Sequence, residues 1–302
     1  MTPIHHEPVM AREVLAFLQP ENGGLFVDCT VGLGGHARAL LEAGAARVIG
    51  LDRDPAALAS AAETLAAFHD RVELVHSDYR ALDSVLDARG IRTIDGLLAD
   101  LGMSSYQLEA EGRGFSFQRE DPLDMRMDTT VGPTAAELLA ESSESDIADA
   151  IFRFGEERFS RRVARAIVQN RETTAIRTTG QLAAIVRHAI PRRGFARIDP
   201  ATRTFQGLRI WVNRELERLD DFIAAAAARL KTGARMVLIT FHSLEDRIVK
   251  HTFRALEQQG RDRDTSSISI QVLTKKPLVP GEDEIRANPR ARSAKLRAVE
   301  RN

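Results

Sequence analysis

The chain has 302 residues, 43% hydrophobic and 28% charged, with a formal net charge of −1, an ordinary balance for a globular protein. Its one cysteine, Cys29, excludes an internal disulfide framework and fits a reducing cytoplasmic setting. No apolar run approaches the roughly 18 residues of a membrane span, and the first residues lack the basic-then-apolar order of a signal peptide. The near-zero total conceals segregation. Ser105 to Ala150 carries 3 Lys/Arg against 11 Asp/Glu, Phe152 to Glu215 carries 14 against 5, and Arg286 to Asn302 carries 6 against 1. Such basic blocks mark either solvated helix faces or a local footprint for a polyanion.

In chain order, the first hundred residues alternate strand and helix. Apolar runs at Leu25–Cys29, Arg47–Leu51, Arg71–His76 and Ile94–Ala99 read as strands. Helices are predicted between them at Gly35–Ala43, Pro55–Phe68 and Ala81–Arg89, with Pro55 suited to a first helical turn. This alternation predicts a parallel, doubly wound α/β sheet.

The pattern breaks between Gln107 and Pro200, where no strand signature occurs. Thr134-Ala135-Ala136-Glu137 and Thr178-Thr179-Gly180-Gln181 match capping boxes. Phe159, Val163 and Ile167, then Leu182, Ile185, Val186 and Ala189, follow helical spacing. An all-helical insertion at 108–200 is therefore expected, inside a sheet domain formed by 1–107 and 201–302. After Pro200 a long helix is predicted, with Phe205, Leu208, Val212, Leu216 and Leu219 on one stripe. Met236–Phe241 resumes the sheet, and Ser243–Leu256 is a further helix. Ser267–Leu273 and Ala294–Glu300 then pair antiparallel across a loop at Lys275–Arg292.

Three predicted strands end in chemically loaded loops. These are Asp28-Cys29-Thr30-Val31-Gly32-Leu33-Gly34-Gly35-His36, Asp52-Arg53-Asp54-Pro55 and Asp100-Leu101-Gly102-Met103-Ser104-Ser105. Ligands of open α/β sheets bind at the carboxyl ends of the strands, so the three loops describe one crevice. Gly32-x-Gly34-Gly35 follows a strand and opens a helix as a dinucleotide fingerprint does, with Ala37 at the third glycine position. Asp52 lies 20 residues past Gly32, placed for a ribose hydroxyl, which suits NAD and S-adenosylmethionine alike. Asp28 favours the second. Its charge would oppose a pyrophosphate but matches the ammonium and sulfonium of S-adenosylmethionine. Tyr79, just after the third strand, is placed to stack on adenine or is simply a packed aromatic. Cys29 has no basic partner in its motif and reads as a small packed residue rather than a nucleophile.

Together with these three loops, several further motifs carry a resemblance. They are Arg113-Gly114-Phe115-Ser116-Phe117, Pro122-Leu123-Asp124-Met125-Arg126-Met127 and Pro200-Ala201-Thr202-Arg203-Thr204-Phe205-Gln206, followed by Phe241-His242-Ser243-Leu244-Glu245-Asp246-Arg247 and Asn288-Pro289-Arg290-Ala291-Arg292-Ser293. The chain resembles the bacterial 16S rRNA methyltransferases that make N4-methylcytidine in the decoding region, from His6-Glu7-Pro8-Val9 to Arg301. The resemblance implies a Rossmann-like S-adenosylmethionine-dependent methyltransferase sheet with an inserted helical domain. It also implies that Gly34, Gly35, His36, Asp52, Tyr79, Asp100 and Gln107 contact S-adenosylmethionine.

Methyl transfer to a cytosine N4 amine needs positioning and a hydrogen-bond acceptor, because the amine lone pair is delocalised into the ring. Asp100, or a backbone carbonyl of the loop it begins, is the leading acceptor, unless Asp100 only orients the cofactor. Asp124 is the second candidate, unless it pairs with Arg126. The eight histidines show no metal-ligand spacing, so no metal is expected. The target base must be unpaired or extruded to reach a buried donor. Arg192, Arg193 and Arg197, interleaved with Phe195, are the expected RNA contacts, as phosphate ligands beside a stacking ring. The implied partner is 16S rRNA, in the assembled small subunit or a late precursor, with no membrane. A homodimer is left open.

Overall fold

The computed structural model describes residues 8–191, 199–261 and 268–302. Chain contacts divide the protein into two units, one made of residues 1–102 with 218–302 and one of residues 103–217. The first unit begins with α1 (Ala11–Leu18), β1 (Leu25–Asp28), α2 (Gly35–Glu42), β2 (Arg47–Asp52), α3 (Pro55–Thr64), β3 (Val72–His76), α4 (Leu82–Asp87) and β4 (Ile94–Asp100). The second unit holds α5 (Ser105–Glu109), α6 (Ala135–Glu141), α7 (Glu144–Gly155), α8 (Ser160–Arg171), α9 (Thr179–Ala189) and α10 (Ala201–Asn213). The chain then returns with α11 (Leu219–Arg229), β5 (Leu230–Thr240), α12 (Ser243–Arg261), β6 (Ile270–Val272), α13 (Glu282–Ala287) and β7 (Lys295–Arg301).

The seven strands run in the order β3-β2-β1-β4-β5-β7-β6. Strands β1 to β5 pair in parallel, and β7 lies antiparallel between β5 and β6. This is the Rossmann-like doubly wound sheet expected, with its direction of winding reversing between β1 and β4. Side chains alternate across the sheet as the strand repeat requires. Val27, Ile49, Leu97 and Met236 join the cluster containing α4, α11 and α12. Phe26, Val48, Leu98 and Val237 join the opposite cluster with α1, α2 and α3. Burial on both faces explains why these strands read as continuous apolar runs.

The helical unit has its own core, in which Ile147, Ile151, Val163, Ile167, Leu182 and Val186 are fully buried. Both expected capping boxes form, on α6 by Thr134 and Glu137 and on α9 by Thr178 and Gln181. Among the described residues of this unit, strand-type pairing is limited to an isolated bridge between Pro122 and Thr178.

Three expectations are corrected. The units meet along the chain at 102/103 and 217/218, rather than at 107/108 and 200/201. The reason is packing, because Leu108, Phe205 and Leu208 belong to the helical core. Nor is the helix after Pro200 continuous to Leu219. It ends at Asn213, and Arg214 and Arg218 take left-handed backbone with φ of 52° and 55°. Asn213 is pinned there, donating to Met125 O (2.7 Å) while its Oδ1 accepts from Met127 N (2.7 Å). The stretch Lys275–Arg292, read as a loop, contains α13 and a 3-10 turn from Pro289.

Candidate active site

The site grows from the carboxyl ends of β1, β2, β3, β4 and β5, all within the sheet unit. Gly34 caps α2 with φ 87°, a left-handed conformation open to glycine at little cost. The turn it makes delivers Gly35 as the first helical residue and His36 as the second. Asp52 ends β2 and holds two loops together: its Oδ2 accepts from Gly32 N and its Oδ1 from Asp54 N, both at 2.8 Å. Asp54 in turn caps α3 through Ala56 N (3.0 Å), with Pro55 at the first helical position.

Asp28, His36 and Asp100 come together here. All three belong to the sheet unit, and Asp28 and His36 are buried. His36 Nε2 lies 3.7 Å from Asp100 Oδ2, and Asp100 N donates to Thr30 Oγ1 at 2.6 Å. Asp28 Oδ1 accepts from Thr30 N at 3.2 Å. Of the nine buried side-chain polar atoms without a hydrogen-bond partner among the described residues, four lie here: Asp28 Oδ2, both His36 ring nitrogens and Asp100 Oδ1. Buried polar atoms are nearly always satisfied, so a group of orphans in one place calls for a partner from outside the chain, water or ligand. Burial pushes the Asp28 carboxyl up to about 7, with Asp100 and Asp52 adding to the rise and His36 opposing it. Burial likewise raises Asp52 to about 6, against the hydrogen bonds from Asp54 and Gly32. For Asp28, whose remaining oxygen has no partner, a bound cation would offset the cost of ionising in this buried place. This fits the ammonium and sulfonium end of S-adenosylmethionine.

Other expected site residues fare differently. Tyr79 follows β3, but its ring rests on Phe222 of α11 with centroids 4.7 Å apart, so part of it is committed to packing. Gln107 lies in the helical unit, where its side chain accepts from Ser104 N (3.0 Å) and closes a capping box on α5. Both oxygens of Asp124 are engaged by Arg126, at 2.7 and 2.8 Å, as its pairing alternative anticipated. Cys29 is buried, and burial beside Asp28 and Asp78 drives its thiol well above the ordinary value. It is a packed residue. Arg192, Arg193 and Arg197 lie outside the described residues.

Sequence reasoning missed two parts of the site. Asp78, after β3, binds Arg80 (2.7 and 2.8 Å) and Arg53 (3.0 Å), tying the β2 and β3 loops. Burial alone would raise the Asp78 carboxyl, but these arginines hold it low. After β5, buried Glu245 accepts from Phe241 N (3.0 Å) and sits 3.1 Å from His242 Nε2. It also neighbours Gly102, where φ of 95° lets the β4 loop turn. Spacing signals existed for both, an Asx cap two residues before Arg80 and a Glu three beyond His242.

Residues 3–302 match the model of the MraW methylase family. The chain belongs to that family. Among its relatives, the ribosomal RNA small subunit methyltransferase H of Geotalea uraniireducens is 48% identical, with all of both chains covered. The protein of that name from Nitrobacter winogradskyi is 49% identical, covering 99% of this chain and 91% of its own. That from Thermotoga neapolitana is 48% identical, covering 98% and 96%.

Proposed function

We propose that this MraW methylase transfers a methyl group from S-adenosylmethionine to the exocyclic N4 amine of a cytidine in the decoding region of 16S rRNA. The observation that carries the reading is the group of orphaned atoms on Asp28, His36 and Asp100 at the strand ends. When bound, the cofactor supplies a methyl activated on a sulfonium whose departing sulfur is neutral.

The chain's own residues have three tasks. Asp52 is fixed by two backbone donors and keeps lone pairs free for ribose hydroxyls. Asp28, ionised, balances the positive end of the donor in a site of low dielectric, where one charge is worth far more than in water. Asp100 Oδ1 accepts a hydrogen bond from the target amine, drawing its lone pair out of ring conjugation, and takes the proton the nitrogen loses as its bond to the methyl carbon forms and the sulfur–methyl bond breaks. The Asp100 backbone is anchored on Thr30, so this acceptor is preorganised. NAD chemistry is disfavoured by the same charges, which would repel a pyrophosphate.

Arg192, Arg193 and Arg197 contact RNA phosphates in this reading, and the helical unit serves substrate recognition. The preferred substrate is the assembled small subunit or a late precursor, and the protein acts in the cytoplasm. Among the described residues, no helix is long and apolar enough to cross a membrane. The test is to incubate the protein with methyl-labelled S-adenosylmethionine and 16S rRNA or small subunits, then digest to nucleosides. Label in N4-methylcytidine supports the proposal, and label in any other nucleoside, or none, overturns it.

A further inference from the structure

The helical unit carries a second basic feature, away from Arg192, Arg193 and Arg197 in the chain. Between Arg158 and Arg171 there are five arginines and no acid. Along α8 the buried residues Ser160, Val163, Ala164 and Ile167 fall on one side. At 100° per residue, Arg161, Arg162 and Arg165 fall on the opposite side, and all three are exposed.

The unit offers these cations little compensation. Arg171 is turned inward to the carbonyls of Leu139 and Ser142. The flanking acids are engaged at the margins, Glu144 with Arg165 (3.6 Å) and Asp149 with Arg153 (3.4 Å). Arg158, Arg161 and Arg162 have no ion pair among the described residues. Arg161 and Arg162 also stand in the first turn of α8, which has no acid and no side-chain cap. That is the positive end of the helix dipole, where a cation is disfavoured. An anion from outside would be favoured there twice over, by the guanidinium charges and by the helix end.

Aromatic residues stand at the same turn of the chain, where Glu156 N donates to Phe152 O (3.1 Å) and Arg162 N to Phe159 O (2.9 Å). Phe152, in the last turn of α7, is 58% exposed, one of four large exposed hydrophobics among the described residues. Arg158 lies over the Phe159 ring, 4.6 Å from its centroid, and so presents a flat guanidinium face. Cations interleaved with accessible rings suit unpaired RNA, whose phosphates take the charges and whose bases stack. A duplex offers the phosphates without free bases.

We infer that the corner between α7 and α8, formed by Phe152, Arg158, Arg161 and Arg162, is a second docking face for unpaired rRNA, separate in the chain from the segment at 192–197. The inference rests on the rRNA methyltransferase reading above and adds where the substrate is gripped. None of the four residues belongs to the cofactor crevice, which lies in the other unit. Being exposed, they can be replaced without disturbing the core.

The experiment compares the full-length wild type with two variants, Arg158→Gln/Arg161→Gln/Arg162→Gln and Phe152→Ala, on 16S rRNA and on small subunits. The triple variant is expected to bind RNA at least tenfold more weakly near physiological salt. Its slope of log affinity against log salt falls by about 2, at roughly 0.7 to 0.9 per lost phosphate contact. Phe152→Ala weakens binding about fivefold or more and leaves that slope unchanged, because stacking releases no counterion. In both variants KM for RNA rises, while kcat and cofactor affinity hold. Unchanged RNA affinity and slope in the triple variant overturn the inference. So does loss of self-association in sedimentation with RNA affinity intact, which would make the corner a protein contact. A wild type that binds the RNA at this corner yet transfers no methyl to it refutes the catalytic reading and leaves the docking face standing.

Discussion

Replacing Asp28 by asparagine keeps shape and removes a buried charge, and its effect on stability has a sign that depends on pH. Burial holds the folded carboxyl at about 7 against the ordinary 3.8. The difference is about three units, each worth roughly 1.4 kcal/mol, so ionised Asp28 costs the fold on the order of 4 kcal/mol. The folded chain keeps this proton longer than the unfolded chain does. Stability from this group therefore falls as pH rises from about 4 to 7, and the penalty vanishes below both values. Asp28→Asn carries no such penalty. Without cofactor, it is expected to be more stable than wild type by about 4 kcal/mol near pH 8.5 and equal to it near pH 4, in urea denaturation across that range. The same variant should lose S-adenosylmethionine affinity in calorimetry, since it cannot balance the cation. A stability gain that is the same at every pH, or that grows toward acid, would refute the reasoning. Wild-type binding near pH 7 should also release a proton, seen as different heats in buffers of different ionisation enthalpy.

Other outcomes follow from the same geometry. Asp52→Ala removes the acceptor of Gly32 and Asp54 amides and of the ribose, and should weaken cofactor binding by about 1.5–3 kcal/mol in calorimetry. Asp100→Asn retains shape, so turnover should fall far more than the unfolding midpoint; a wild-type methylation rate would remove Asp100 from the chemistry. Thr178→Ala breaks the capping box of α9 and should destabilise the helical unit by about 1 kcal/mol, read from its unfolding midpoint, with cofactor affinity unchanged. Replacing Arg192, Arg193 and Arg197 together by glutamine should flatten the salt dependence of RNA binding by about 0.7 to 0.9 per contact.

Much of the crevice at the strand ends was legible because it is local in sequence. A strand, a glycine turn and a helix start follow one another from Leu25 to Glu42, and Asp52 is reached one strand later. The three loaded loops each sit at a strand end, as their position after apolar runs required. Tyr79 and Gln107 were harder, since an aromatic ring or an amide at the right distance can equally be committed to packing or capping. In the structure Tyr79 meets Phe222, a residue 143 positions away, and Gln107 serves Ser104. Asp78 escaped notice because its importance comes from Arg53, which a different strand delivers.

The amino-acid order by itself determined the repeating strands and helices, the capping boxes and the caps at Gly34 and Asp54. Each depends on interactions within a few residues, which spacing records directly. Tertiary structure decided the rest. It placed β7 antiparallel between β5 and β6, ended α10 at Asn213 through contacts with Met125 and Met127, and drew α10 into the helical core. It also joined His36 to Asp100 across 64 positions and raised Asp28 to about 7. Periodicity tells which side of an element is apolar, but not which partner covers it. Desolvation of a carboxylate arises only when that partner arrives.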